Sequence, residues 1–399
     1  MSQTPPPTTA TTTATTTKAW TFSRLGPYRQ TLQLTHSHPL PDFPPKPPSP
    51  RSKAVPEEWL LLRVSHAALN PADLVLLTVL PFMVRGARTA VPTADFTGTV
   101  LDVWWPGEGA GGGGGGGGAP RFARGDDVVC FPGLGHALAT GVGGLQGVVA
   151  LPARYAVRIP PGSGKTTRDA AGLLLCGCTA DMQVAAAGVG PGQRVLVVGA
   201  SGGVGTMVVQ MVREKVGRAG FVVGVCSGRN RAMVEGLGPD EVVDYTQYKD
   251  LPGELARRYG DQPFDNIIDA YGDQAVYKQC ARYLKPEGVY DAASIHYSSY
   301  TFCDLFKSVI TIGLNIIWPR SPWLGGTGRK WKVASLMEPG VEMMERVVKM
   351  FGEGKLRVAV DSEWPFEKVH DAYDVLLSGH AAGKIIVKVD EEEECVAAV

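Results

Sequence analysis

Gly199, Ala200, Ser201, Gly202, Gly203, Val204 and Gly205 follow the apolar run Arg194–Val198 and lead into an amphipathic stretch. Glycines at these spacings let a chain turn tightly and bring its backbone N–H groups close to a ligand. The start of the helix that follows adds further amides and a favourable dipole. That chemistry grips a diphosphate, so these residues read as a dinucleotide-binding turn. The spacing is one residue longer than G-x-G-x-x-G, and the flanking strand and helix patterns carry the assignment.

The choice of dinucleotide is made at the end of the next strand. An acid there would hydrogen-bond a ribose 2′-hydroxyl. Val225–Arg231 contains no acid and two arginines. Ser227, Arg229, Asn230 and Arg231 therefore read as a pocket for a 2′-phosphate, because a guanidinium offers a planar fork of donors. This predicts NADPH as the cofactor; the alternative is a solvated loop with incidental arginines. Lys384, near the closing strand, either reaches the cofactor or is solvated. Ile159–Thr166 nearly spells a triphosphate-binding loop but has Ile159 where that loop needs glycine. It reads as a surface turn after a strand.

The elements that must position these residues show two rhythms. Before about residue 175 the pattern is short strands and turns, at 59–64, 96–103, 127–131, 147–151 and 156–159. From about residue 176 strands alternate with helical patterns, at 195–198, 221–225, 241–244, 266–270, 289–292 and 309–314. This predicts a parallel sheet with helices on both faces. Val204, Met207, Val208, Met211, Val212 and Val216 form one apolar stripe at helical spacing. Two further helices are expected at 341–351 and 366–377, and a last strand at 384–389.

Three segments are compositionally biased. Residues 1–17, mostly Thr, Pro and Ala, read as a disordered tail without the apolar core of a secretory signal. Residues 39–50 hold seven prolines in twelve residues and read as a stiff exposed loop. Gly111–Gly118 is a run of eight glycines between two strand patterns and reads as the slack tip of a hairpin. The aromatic patch Trp318–Gly326 suits a substrate cleft, a subunit contact or an interdomain core.

Lys plus Arg and Asp plus Glu number 39 each, and no basic stripe points to nucleic acid. The seven cysteines form no CxxC pair and read as reduced thiols of an intracellular, cytoplasmic protein. The longest apolar run, around residues 308–318, is too short to span a bilayer.

Nine segments in order carry a family resemblance: Ala68–Asp73, Ala94–Gly98, Arg124–Val128, Cys178–Ala180, Gly199–Gly205, Val243–Tyr245, Phe264–Ala270, Leu284–Gly288 and Ser378–Lys384. Together they make the chain resemble the medium-chain dehydrogenase/reductase superfamily, in its zinc-free quinone oxidoreductase and enoyl reductase-like branch. The resemblance implies an α/β fold, a GroES-like β domain plus a Rossmann doubly wound parallel sheet. It implies a tail at 1–17, a catalytic domain from 18–175 resumed at 326–399, an NADP-binding domain at 176–325, and a homodimer. By the same resemblance Asn70 and Asp73 lie on the pocket floor, Thr179 lies near the nicotinamide, and Tyr245 packs on the adenosine side. Each has a plainer reading: Asn70 shapes a turn, Asp73 caps a helix, Thr179 starts one.

The cysteine and histidine sets of the zinc-dependent relatives are missing from the sequence, so no metal is expected. Hydride transfer to a quinone or α,β-unsaturated carbonyl suits a metal-free site, because the resulting charge delocalises onto oxygen. Two alternatives remain: a trans-acting enoyl reductase of a polyketide pathway, and a non-catalytic NADPH-binding protein.

Overall fold

The computed structural model describes residues 15–44, 57–78, 89–106, 119–295, 300–317, 323, 326–333 and 338–390. Residues 1–14 of the expected tail, half of the proline-rich loop and the glycine tract lie outside them. β1 (Thr16–Thr21) and β2 (Gln33–Pro39) form an antiparallel ribbon. Thr16 and Thr17, expected in the tail, are strand residues because they pair with Pro39 and His38.

A larger sheet begins with β3 (Trp59–Leu69), whose first eight residues alternate between half-buried and buried. That period of two is what a strand with one face on a core requires. β3 pairs with β4 (Phe96–Trp104) and β6 (Val148–Pro152), and β5 (Asp127–Cys130) and β7 (Ala156–Arg158) continue the sheet beyond β4. β4 and β5 pair antiparallel, as the hairpin reading predicts. Past Ile159, Thr166 forms a capping box with Asp169 at the start of a short helix, so the near-miss phosphate loop is a surface turn.

The second sheet contains β8 (Arg194–Val198), β9 (Phe221–Cys226), β10 (Glu241–Asp244), β11 (Phe264–Asp269), β12 (Leu284–Ala292) and β13 (Lys330–Val333). All pairings are parallel, in the order β10-β9-β8-β11-β12-β13. Val195 and Val197 pack with Met207, Val208, Met211 and Val212 of the helix Gly203–Val216. Leu196 and Val198 face the opposite way, toward Leu255, Tyr259, Val276 and Tyr277. Both faces are thus covered by helices, the doubly wound arrangement, whose ligand crevice lies beyond the strands' carboxyl ends.

The sixth strand is not at 309–314. That segment lies within a helix, Phe302–Ile317, despite its β-branched residues. Thr301 and Asp304 close a reciprocal cap at its start: the Asp304 N–H donates to Thr301 Oγ1 at 3.2 Å, and Thr301 Oγ1 donates to Asp304 Oδ2 at 3.0 Å. Phe302, Phe306, Val309, Ile310, Leu314 and Ile317 are exposed along it. β13 supplies the strand instead, a few residues beyond the domain boundary expected at 325–326. Trp323 is 97% exposed, so it does not fill an interdomain core.

After β13 the chain returns to the first sheet. β14 (Val360–Pro365) and β15 (Lys384–Lys388) extend it, with β15 antiparallel to β3. Lys384 is therefore placed at the end of β3, where Asn70 begins the next helix. Thr167–Ala187 is long and apolar enough to cross a membrane, but 72% of its most apolar window is buried inside the protein.

One internal carboxyl makes stability depend on pH. Asp291 in β12 is fully buried; Oδ1 accepts from Gln183 Nε2 at 3.1 Å, and Oδ2 has no hydrogen bond. Burial lifts its pKa to about 7, against the Gln183 hydrogen bond and the Lys332 charge. An unfolded Asp titrates near about 3.9, so Asp291 favours the fold fully below that value and loses the contribution as pH rises through about 7. Asp291→Asn is expected to reduce the drop in melting temperature between pH 6 and pH 8.5. An unchanged drop would contradict this.

Candidate functional site

At the end of β8 the chain passes through Gly199 at φ +71° and donates from the Ala200 N–H to the Val225 oxygen at 2.9 Å. The helix opens at Gly203 with Gly202 before it, and no side chain caps it. A helix start leaves its first amides without intrahelical partners, so this end offers N–H groups and a positive dipole to an anion.

The glycines of the turn serve different needs. A Cβ at Gly205 would be driven into the Gly199 carbonyl oxygen, so glycine there lets helix and strand pack. A Cβ at Gly203 would lie 3.0 Å from Lys384 Cδ and 3.1 Å from Cys176 Sγ. At Gly202 the nearest atom would be 3.5 Å away, an ordinary contact, and its φ of −78° suits any residue. Internal packing therefore does not demand glycine at 202. The open approach at this helix end fits a diphosphate.

Ser227, nearly buried, follows β9 and leads into a short 3₁₀ turn, Gly228–Asn230. Asn230 Nδ2 donates to Ser201 Oγ at 3.1 Å, joining this loop to the glycine turn. Arg229 donates to the His380 oxygen at 3.2 Å and Arg231 pairs with Glu235 at 3.2 Å, both near the surface. The absence of an acid from 225–231 does not leave the loop without one. Asp244, at the end of β10, accepts from the N–H of Gly228 at 2.8 Å and of Thr246 at 3.0 Å, from Thr246 Oγ1 at 2.7 Å, and from Gln247 at 3.2 Å. The Thr246 hydroxyl leads the contacts that hold its pKa below the usual carboxylate range. Its position on a neighbouring strand hid it from a reading confined to one segment. Tyr245, half-exposed, follows it; Tyr271, also half-exposed, has its Cβ beside Gly199.

The other cluster joins residues far apart in sequence. Lys384 is buried rather than solvated, and Nζ donates to Asn70 Oδ1 at 2.6 Å and to the Leu69 oxygen at 3.2 Å. It stands 3.6 Å from Asp95 Oδ2. Asn70 Nδ2 donates to the Ala68 oxygen, so the turn-shaping reading of Asn70 holds alongside its contact with Lys384. Asp73 Oδ2 accepts from the Asn70 N–H at 2.8 Å at the start of the helix Pro71–Thr78, so it caps that helix too. Thr93 Oγ1 donates to the same oxygen at 3.4 Å; its φ of +75° is uncommon for a β-branched residue. Sequence reasoning missed Asp95 and Cys176 as members of this group.

Thr179 is not a helix-start residue. It lies inside the helix Leu173–Ala187, and its hydroxyl donates to the Leu175 oxygen at 2.7 Å. Its hydroxyl bond is thus to its own helix rather than to Asn70. Among the described residues no three of His, Cys, Asp and Glu gather as a metal-ligating set.

The chain is similar to known dehydrogenases and reductases. A family profile described as zinc-binding dehydrogenase matches residues 237–387. The medium chain reductase pydE of Acremonium sp. is 33% identical, covering 93% of this chain and 98% of its own. The trans-enoyl reductase poxH of Penicillium oxalicum is 29% identical over 94% and 98%. A chloroplast envelope quinone oxidoreductase homolog of Arabidopsis thaliana is 29% identical over 86% and 91%. Among solved structures, the quinone oxidoreductase from Coxiella burnetii superposes with a TM-score of 0.65 at 21% identity, covering 94% of this chain and 99% of that one.

The glycine geometry separates packing from binding. Gly202→Ala is expected to shift the melting temperature by less than about 2 °C while weakening NADPH affinity at least about tenfold, roughly 1.4 kcal/mol. Gly205→Ala is expected to lower the melting temperature markedly. Equal NADPH affinity in Gly202→Ala and the parent, by fluorescence titration, would contradict the assignment.

Proposed function

The chain belongs to the medium-chain dehydrogenase/reductase superfamily, in its quinone and enoyl reductase-like branch, and from that premise we propose that it reduces quinones or α,β-unsaturated carbonyls with NADPH and without a catalytic metal. It is an oxidoreductase of the quinone, enone or enoyl type; the coenzyme preference and the metal-free chemistry are the inference. One observation carries the reading: an uncapped helix start after β8, open at Gly202, beside a buried Asn70–Lys384 pair.

The backbone amides from Gly203 to Gly205 would hold the diphosphate, the Gly202 N–H being bonded to the Gly199 oxygen at 3.0 Å. When bound, the nicotinamide supplies a hydride. Ser227, Asn230, Arg229 and Arg231 would hold the 2′-phosphate. Each guanidinium carries five donors, so the His380 and Glu235 contacts leave donors available. Four donors surround Asp244 and offset its charge next to that loop. Tyr245 would cover the adenosine side.

The metal-free reading rests on charge as well as ligand type. Lys384 Nζ already brings a cation to Asn70 Oδ1 and Asp95, so a divalent ion among these groups would meet an ammonium. A conjugated acceptor does not need a Lewis acid, because its negative charge spreads onto oxygen. Asn70 and Asp73, which shape the chain at the end of β3, are assigned to the pocket floor, and Thr179 to the nicotinamide side.

The trans-enoyl reductases among the relatives favour a second reading, reduction of an enoyl thioester presented by a carrier. With NADPH, turnover of a free quinone or 2-alkenal supports the first reading. Turnover of a carrier-bound enoyl thioester alone supports the second. Stoichiometric NADPH binding with no turnover on any acceptor would contradict both. Arg229→Ala is expected to raise the KM for NADPH at least about tenfold, with little change for NADH, since charge-assisted hydrogen bonds to phosphate are lost. An unchanged ratio would refute the 2′-phosphate pocket.

A further inference from the structure

Three charged side chains meet in the interior beneath the glycine turn. Asp73 comes from the helix Pro71–Thr78, Asp95 from the segment entering β4, and Lys384 from β15; they are 1%, 0% and 2% exposed. Lys384 Nζ bonds Asn70 and Leu69 and faces Asp95. Asp73 Oδ1 makes no hydrogen bond, and Asp95 is met only by long contacts from Lys384, the Asn70 amide and the Leu175 N–H. Such weakly satisfied oxygens are costly as anions in a dry interior.

The count of charges is uneven: two carboxylates face one ammonium. The neighbours do not correct it. Cys176 and Cys178 come from the helix Leu173–Ala187 and Cys130 from β5, and burial raises all three thiols, which keeps them neutral. Tyr373, from the helix Val369–Leu377, is likewise raised by burial and neutral, and Thr93 does not titrate. Arg346 acts only at the far side, on Cys178, and pairs with Asp181.

The unit lies against the coenzyme turn. The Lys384 methylenes run between Gly172 and Gly203, and Gly202 bridges to Gly383, the residue before Lys384. A diphosphate at the helix start would add negative charge on the other side of these two glycines.

We propose that Asp73, Asp95 and Lys384 act as one buried unit that takes up a proton when a dinucleotide binds the turn, which couples coenzyme affinity to pH. The proposal rests on the reading that NADPH binds there. A unit carrying one excess negative charge repels the incoming phosphates, and a bound proton removes that excess. Burial lifts Asp73 to about 7, helped by Asp95 and opposed by the Asn70 N–H and Lys384. Burial also raises Asp95, against Lys384, the Leu175 N–H and the Asn70 amide. For Lys384 burial works downward, but Cys176, Asp95 and Asp73 together raise it above its ordinary value, and it stays charged. Bound phosphates push the proton affinity of the unit higher still. Uptake therefore falls in the window around and above about pH 7, and affinity tightens as pH falls through it.

Calorimetric titration of the full chain with NADPH at pH 7.5, in two buffers of different ionisation enthalpy, measures the protons taken up. The parent is expected to take up a substantial fraction of one proton per coenzyme beyond that of Asp95→Asn. That variant leaves one carboxylate to one ammonium, and its affinity should vary less between pH 6.5 and pH 8.5, being several-fold tighter than the parent's at the upper end. Asp73→Asn balances the unit in the same way and is expected to match it, so the test survives if one variant fails to fold. The 2′-phosphate contributes equally to all three proteins and cancels in the difference. NADPH binding with the same uptake in parent and variants would overturn the proposal and leave the coenzyme reading standing. Failure of the folded parent to bind NADPH would overturn both.

Discussion

The first turn of the helix Gly203–Val216 crosses the end of β8 so closely that no Cβ fits at Gly205. That contact aims the open end of the helix into the crevice beyond the parallel strands. It also fixes where Gly202 stands, and Gly202 is the position that internal packing leaves free for a ligand. The loop after β9 is tied to the same turn through Asn230 and Ser201. The anion site and the loop assigned to the 2′-phosphate are thus held as one unit by backbone packing and a single side-chain hydrogen bond.

The two sheets meet around Lys384. Its backbone belongs to β15, its ammonium lies at the end of β3, and its methylenes support Gly203. A buried ammonium needs partners, and Asn70, Leu69 and Asp95 supply them. Through this side chain the segment assigned to the substrate floor and the turn assigned to the coenzyme share one anchor. A lysine here differs from one at a surface, because moving it would disturb both sides of the crevice.

The glycine turn and the apolar stripe from Val204 to Val216 were legible because each is a local pattern with a fixed spacing. The strand expected at 309–314 failed because β-branched residues there suggest extension, while the Thr301–Asp304 cap and the longer apolar periodicity favour a helix. Asp244 and Asp95 escaped notice for a different reason. Their roles arise where separate segments converge, and no local spacing reports that convergence. Lys384 was visible as a residue near the cofactor, but its burial follows only from the pairing of β15 with β3.

The account depends most directly on occupancy of the turn by reduced coenzyme. Titrating the purified chain with NADPH while following its fluorescence tests this in one step. The structure leads to saturable binding of one coenzyme per chain, and the absence of any saturable signal would contradict it.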